Sequence, residues 1–63
     1  MKHHKYLEVH LLSLKATAEH CDVSVKTIRR WIQARELAAY KLGNQWRISI
    51  DDLELFLFKR RKF

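Results

Sequence analysis

Between Ser24 and Arg47 the sequence carries six basic residues, Lys26, Arg29, Arg30, Arg35, Lys41 and Arg47, against a single acid, Glu36. Guanidinium and ammonium groups at that density suit a polyanion, because each can neutralise a phosphate charge and donate hydrogen bonds to it. The acids Asp51, Asp52 and Glu54 come later, and a second basic run, Lys59-Arg60-Arg61-Lys62, follows them. A merely solvated surface would not need such sorting. Over all 63 residues, 13 Lys and Arg against 7 Asp and Glu leave a net charge of +6 and a pI near 9.9. That balance favours DNA, RNA or an acidic membrane surface as a partner.

The other reactive side chains point nowhere in particular. Four histidines (His3, His4, His10, His20) and the lone Cys21 do not fall at zinc-ligand spacing, so no metal and no cofactor is expected. Cys21 has no base placed to activate it and reads as a small core side chain. Asp51 and Asp52 directly follow Ser49, where they suit the positive end of a helix better than acid chemistry. Nothing in the pattern supports catalysis. With one cysteine no internal disulfide can form, which fits a reducing, cytosolic compartment. The N-terminal apolar run is broken by Glu8 and His10, so neither a signal peptide nor a membrane span is expected.

The elements that must hold these residues follow from periodicity. A chain of this length makes one domain near the lower limit for an unstapled core. Its ends, about residues 1–5 and 59–63, read as a flexible start and a basic, disordered tail. "YLEVHLL" alternates Leu7, Val9 and Leu11 against Tyr6, Glu8 and His10, a strand pattern. Ser13 suits the N-cap of a first helix over about Leu14–Cys21, with Ala16 where a capping box would place an acid. Asp22 tolerates a left-handed turn, Val23 offers a core anchor, and Ser24 caps a second helix, about Val25–Arg35. Two short helices at this separation have helix-turn-helix spacing.

On the second helix Ile28, Trp31 and Ile32 share one side, and Lys26, Arg29, Arg30 and Gln33 the other. "LAAYKLGNQWRIS" reads as a hairpin around Gly43-Asn44. An odd-length loop centred on Asn44 would pair Leu42 with Trp46, Tyr40 with Ile48 and Lys41 with Arg47, keeping the apolar side chains on one face. Ser49 and Asp52 then open a last helix with an apolar stripe of Ile50, Leu53, Phe56 and Leu57. Leu55 and Phe58 project from its other side and, with Lys59, Arg60, Arg61 and Lys62, form a possible protein-contact surface.

Strand, helix, turn, helix, two-stranded wing and helix make an α+β winged helix-turn-helix. The stretch "SLKATAEHCDVSVKTIRRWIQARELAAYKLGNQWRISIDDLELFL", Ser13 to Leu57, resembles the small winged-helix DNA-binding domains of the excisionase family, related to the MerR-type regulators. The resemblance rests on the capped first helix, the Val-Ser turn, Thr-Ile-Arg-Arg, Leu-x-Ala-Tyr-Lys-Leu-Gly, Trp-Arg-Ile and a final Asp-Leu. The family usually carries Gly where Asp22 stands, aliphatic residues at His20-Cys21, and an acid at Ala16.

The resemblance implies that the second helix enters the major groove and that the wing meets the minor groove or backbone. The residues permit this independently, since Arg can hold guanine bidentately and Gln can hold adenine. Lys26, Arg29 and Gln33 are the expected base contacts, and Ser24, Thr27 and Arg30 the phosphate contacts, helped by the helix dipole. Lys41, Asn44 and Arg47 are the expected wing contacts.

The implied role is a DNA-bending accessory factor, a recombination directionality factor, acting on double-stranded DNA in the bacterial cytoplasm at the nucleoid. Its implied partners are a tyrosine-family integrase and further copies of itself bound cooperatively on DNA. The chain's length favours that role over a MerR-type sensor, which needs a dimerising helix and an effector domain. A small transcriptional regulator on an operator is the nearest alternative. A protein-interaction module with an acidic partner is the alternative of another class. RNA is disfavoured because six of the seven aromatics are not placed as an exposed stacking platform.

Overall fold

The computed structural model describes residues 10–61. In chain order they form β1 (Leu11–Leu12), α1 (Leu14–Cys21), α2 (Val25–Gln33), β2 (Tyr40–Leu42), β3 (Gln45–Ser49) and α3 (Ile50–Lys59). The three strands make one antiparallel sheet in the order β1-β3-β2. This is the winged helix-turn-helix architecture that the periodicity predicts.

Each helix begins at a serine. The Oγ atoms of Ser13, Ser24 and Ser49 accept from the backbone N–H three residues on, at 3.0, 3.1 and 3.0 Å, and so satisfy a donor the helix itself leaves open. Two of the helices also stop in the same way. Asp22 follows α1 at φ 57°, with its N–H donating to Glu19 O at 3.2 Å while Val23 N–H reaches Ala18 O at 3.0 Å. Arg35 repeats this after α2 at φ 61°, donating to Ile32 O at 3.0 Å while Glu36 N–H reaches Trp31 O at 2.9 Å. Both are Schellman stops, built on residues other than glycine.

The second stop corrects the expected helix end. Helix α2 finishes at Gln33, and Arg35 lies in the left-handed turn outside it. The reversal carries Leu37 into the core, where it is almost wholly buried.

The core consists of Ala18, Ile28, Leu37, Ile48, Leu53 and Phe56, with Leu12, Leu14, Val23, Trp31 and Ile32 packed around it. Thr17 and Ser49 are buried with it, the Thr17 hydroxyl donating to Ser13 O at 2.8 Å and the Ser49 hydroxyl accepting from Asp52 N–H at 3.0 Å. The α1–α2 pair packs closely, and both α1 and α3 pack on β3.

Four further expectations need correction. In β1 it is Leu12, opposite Ile48, that turns inward, while Leu11 is exposed opposite Ser49. The Ile50 N–H bond to His10 O fixes that register. The rest of the expected strand, Tyr6 to Val9, lies outside the described residues.

The hairpin has a two-residue loop, Gly43-Asn44, and pairs Leu42 with Gln45, Lys41 with Trp46 and Tyr40 with Arg47. Gly43, at φ 62°, supplies the positive first position of such a loop. The odd loop would hold only if one face were buried, yet all three residues of β2 are exposed, so burial does not select the register there.

In α3, Leu57 is exposed rather than inward. Phe56 faces Trp31 and Arg60, and Leu57, about 100° further round the helix, turns away from them. The basic run is not simply an arm either, because Lys59 belongs to α3 and Arg60 docks on the Phe56 ring.

Candidate nucleic-acid interface

Helix α2 is sorted by face. Ile28 is fully buried and Trp31 and Ile32 pack on the core, while Lys26, Arg29, Arg30 and Gln33 are all exposed. Among the described residues Lys26, Arg29 and Arg30 have no ion-pair partner, and all three side chains are exposed. The one acid between Ser24 and Arg47, Glu36, is neutralised by Arg60. A basic stripe therefore stands on one helix with no acid competing for it.

At the start of α2, Ser24 is exposed and its hydroxyl is fully used. It accepts from Thr27 N–H at 3.1 Å and donates to Thr27 Oγ1 at 3.1 Å. The hydroxyl proton left for an outside acceptor is therefore that of Thr27. No acid occupies the first turn of α2, which leaves its positive dipole end unopposed.

The structure separates the wing residues that the odd loop would have set side by side. Lys41 shares a face with Trp46 and lies 5.4 Å from its ring centroid, a cation–π contact in place of the like-charge pair. Arg47 is on the other face opposite Tyr40, half-buried, donating to Trp46 O at 2.8 Å and to Gln45 Oε1. Asn44 is exposed at the tip between them. Asn44 is thus the wing residue most open to reach outward, while Lys41 rests on Trp46 and Arg47 partly braces the wing itself.

Trp46 is a neighbour of the stripe that residue types alone did not indicate. With Arg29, Ile32 and Gln33 it lines a cleft of about 60 Å³ between α2 and the wing. Its pairing with Lys41 was the available signal, hidden by the register error. A larger open groove of about 450 Å³, also lined by Ile32 and Trp46, lies between the α2–β2 connection and Asp52, Leu55, Phe56 and Lys59 of α3. Leu55 and Phe58 are exposed as expected, at 53% and 62%, and the Arg61 guanidinium lies 4.9 Å from the Phe58 ring centroid. Lys62 lies outside the described residues.

Cys21 packs at the core margin, and burial pushes its thiol up from the ordinary value. Among the described residues no three His, Cys, Asp or Glu side chains gather as a metal site, and no helix is long and apolar enough to cross a membrane. His3 and His4 lie outside them.

The family model described as "Helix-turn-helix domain" matches residues 11–61, about four-fifths of the chain. No curated protein and no solved structure matches it. The matched span takes in α1, the turn, α2, the wing and α3, which are the elements that present the basic stripe. The chain belongs to the helix-turn-helix domain family, a DNA-binding family that includes excisionase-like proteins.

Proposed function

We propose that the chain is a sequence-specific, DNA-bending accessory factor of excisionase type, which helps a tyrosine-family integrase excise a phage or integrative element. The observation that carries the DNA-reading part is the exposed stripe Lys26, Arg29, Arg30 and Gln33 on a helix whose other side is core. Helix α2 lies in the major groove, with Lys26, Arg29 and Gln33 at base edges and Thr27, Arg30 and the Ser24 end on phosphates. The wing, through Lys41 and Asn44, follows the neighbouring backbone. The excision role rests on the ordered resemblance from Ser13 to Leu57 and on the family's including excisionase-like proteins.

One such module buries only about 600–1,000 Å² on DNA. Useful occupancy therefore calls for adjacent copies or an integrase contact, and Leu55 and Phe58 are the surface offered for it. The test is footprinting on an element's ends with and without its integrase. Protection of repeated sites that strengthens with integrase supports the reading, and protection of an operator alone makes the chain a transcriptional regulator. Arg29→Ala should relax sequence preference, whereas Arg30→Ala should weaken all sequences alike and lower the salt slope by about one. Five or six phosphate contacts give a log–log salt slope of about −4.5 to −5.5. A flat salt response would instead mark a module for an acidic protein partner.

A further inference from the structure

The end of α3 reaches back to the end of α2 through one side chain. Arg60 caps α3, its N–H donating to Leu57 O at 3.1 Å while Arg61 N–H reaches Phe58 O at 3.2 Å. Its guanidinium carbon lies 4.5 Å from the Phe56 ring centroid and 5.4 Å from that of Trp31, and its Nη2 pairs with Glu36 Oε1. Trp31 and Phe56 meet each other at 4.8 Å between centroids, inclined at 46°. Glu36 is itself fixed to α2, because its N–H donates to Trp31 O at 2.9 Å. Three residues, Trp31 from α2, Glu36 from the connection after it and Phe56 from α3, thus close on one guanidinium.

The placement of this cluster gives it a function. Helix α2 packs along α1, and α3 packs on β3, so the α2–α3 link is made by long side chains and not by close helix-to-helix packing. The N-terminal end of α2 is set by the Ser24 cap and by α1. Its C-terminal end, where Gln33 stands, is where the clasp acts. A planar guanidinium that stacks on two rings while holding a carboxylate fixes direction as well as distance, which an ammonium does not.

We propose that Arg60 is a positioning residue for DNA recognition: by clasping Trp31 and Glu36 it fixes the tilt of α2 and hence the reach of Arg29 and Gln33. This rests on α2 being the DNA-reading helix. It takes Arg60 out of the set of charges that touch DNA or a partner, where its place in a basic run would put it. The two roles make opposite predictions. Glu36→Gln removes an acid and raises the net charge from +6 to +7, so charge alone predicts tighter binding to any DNA. The clasp predicts weaker binding to the chosen sequence.

The experiment uses the 63-residue chain, a duplex selected with it from a random library, and a scrambled duplex. Affinity is measured by fluorescence anisotropy at several salt concentrations, at a temperature where melting curves show every variant folded. Arg60→Ala and Glu36→Gln should each lower the specific-to-scrambled ratio by roughly three- to tenfold, the range that a half-exposed ion pair with cation–π contacts sustains. The double variant should lose no more than either single one, and the salt slope should hold. Arg60→Lys keeps the charge and should still lose part of the ratio, and it serves as the folded substitute if Arg60→Ala melts too early. Tighter or unchanged binding by Glu36→Gln would overturn the proposal. So would a slope lowered by about one in Arg60→Ala with the ratio intact, which marks a direct phosphate contact. Arg29→Ala separates the two layers: if its ratio is unchanged the reading-helix assignment fails, and if it alone falls the clasp fails.

Discussion

Replacing Ser24 by Asp should move stability and DNA affinity in opposite directions. The Ser24 Oγ accepts from Thr27 N–H at 3.1 Å, and no acid stands in the first turn of α2. Ser24→Ala removes that cap at a cost of about 1 kcal/mol, which in a domain of this size lowers Tm by about 4–8 °C. Asp caps as well as Ser does, and its charge gains about 0.3–1 kcal/mol from the helix dipole. Ser24→Asp should therefore melt at or above the parent. In the proposed docking the same carboxylate meets a phosphate drawn to the start of α2. Like charges about 5 Å apart at an effective dielectric of about 20–80 repel by about 1–3 kcal/mol, a roughly 5- to 150-fold loss that salt reduces. Thermal melts and anisotropy titrations at low salt read both quantities on the same samples. If Ser24→Asp binds as tightly as the parent, no phosphate lies at the start of α2, and the Ser24, Thr27 and Arg30 assignments fall together. If it melts as early as Ser24→Ala, the capping account is wrong.

Three further outcomes follow from particular residues. Arg35 sits at φ 61° without the freedom of glycine, so Arg35→Gly should gain about 1 kcal/mol in urea denaturation while Arg35→Ala stays within about 0.5 kcal/mol; equal effects would place the cause in the side chain. Burial pushes the Cys21 thiol up, so thiolate is scarcer in the fold, and iodoacetamide at mildly alkaline pH should label native protein more slowly than urea-unfolded protein; equal rates would refute this. Leu55→Ser with Phe58→Ser should leave single-site affinity and Tm nearly unchanged, since both side chains are exposed, while flattening cooperative loading in gel-shift titrations on repeated sites; unchanged cooperativity removes these residues from any contact surface.

Sequence reading succeeded where a local cap or one helix face does the selecting, and failed where a tertiary contact or a turn preference does. Ser13, Ser24 and Ser49 marked all three helix starts, because an N-cap is a local hydrogen bond written in one residue type. The two faces of α2 were legible because Ile28, Trp31 and Ile32 must share one side to reach a core. The end of α2 was not, because Arg35 adopts a left-handed conformation that sequences usually mark with Gly or Asn. What fixes that stop is Leu37 entering the core and Glu36 meeting Arg60, both tertiary events. The wing register failed for a related reason. A rule that keeps apolar side chains on one face has force only when that face is buried, and β2 is exposed throughout, so the turn preference of Gly43 decides instead. That shift moved Lys41 onto Trp46 and Trp46 against Arg29 and Gln33. Stripe and wing therefore share a cleft floored by an aromatic side chain, and Trp46→Ala should disturb the stripe's geometry as well as the wing.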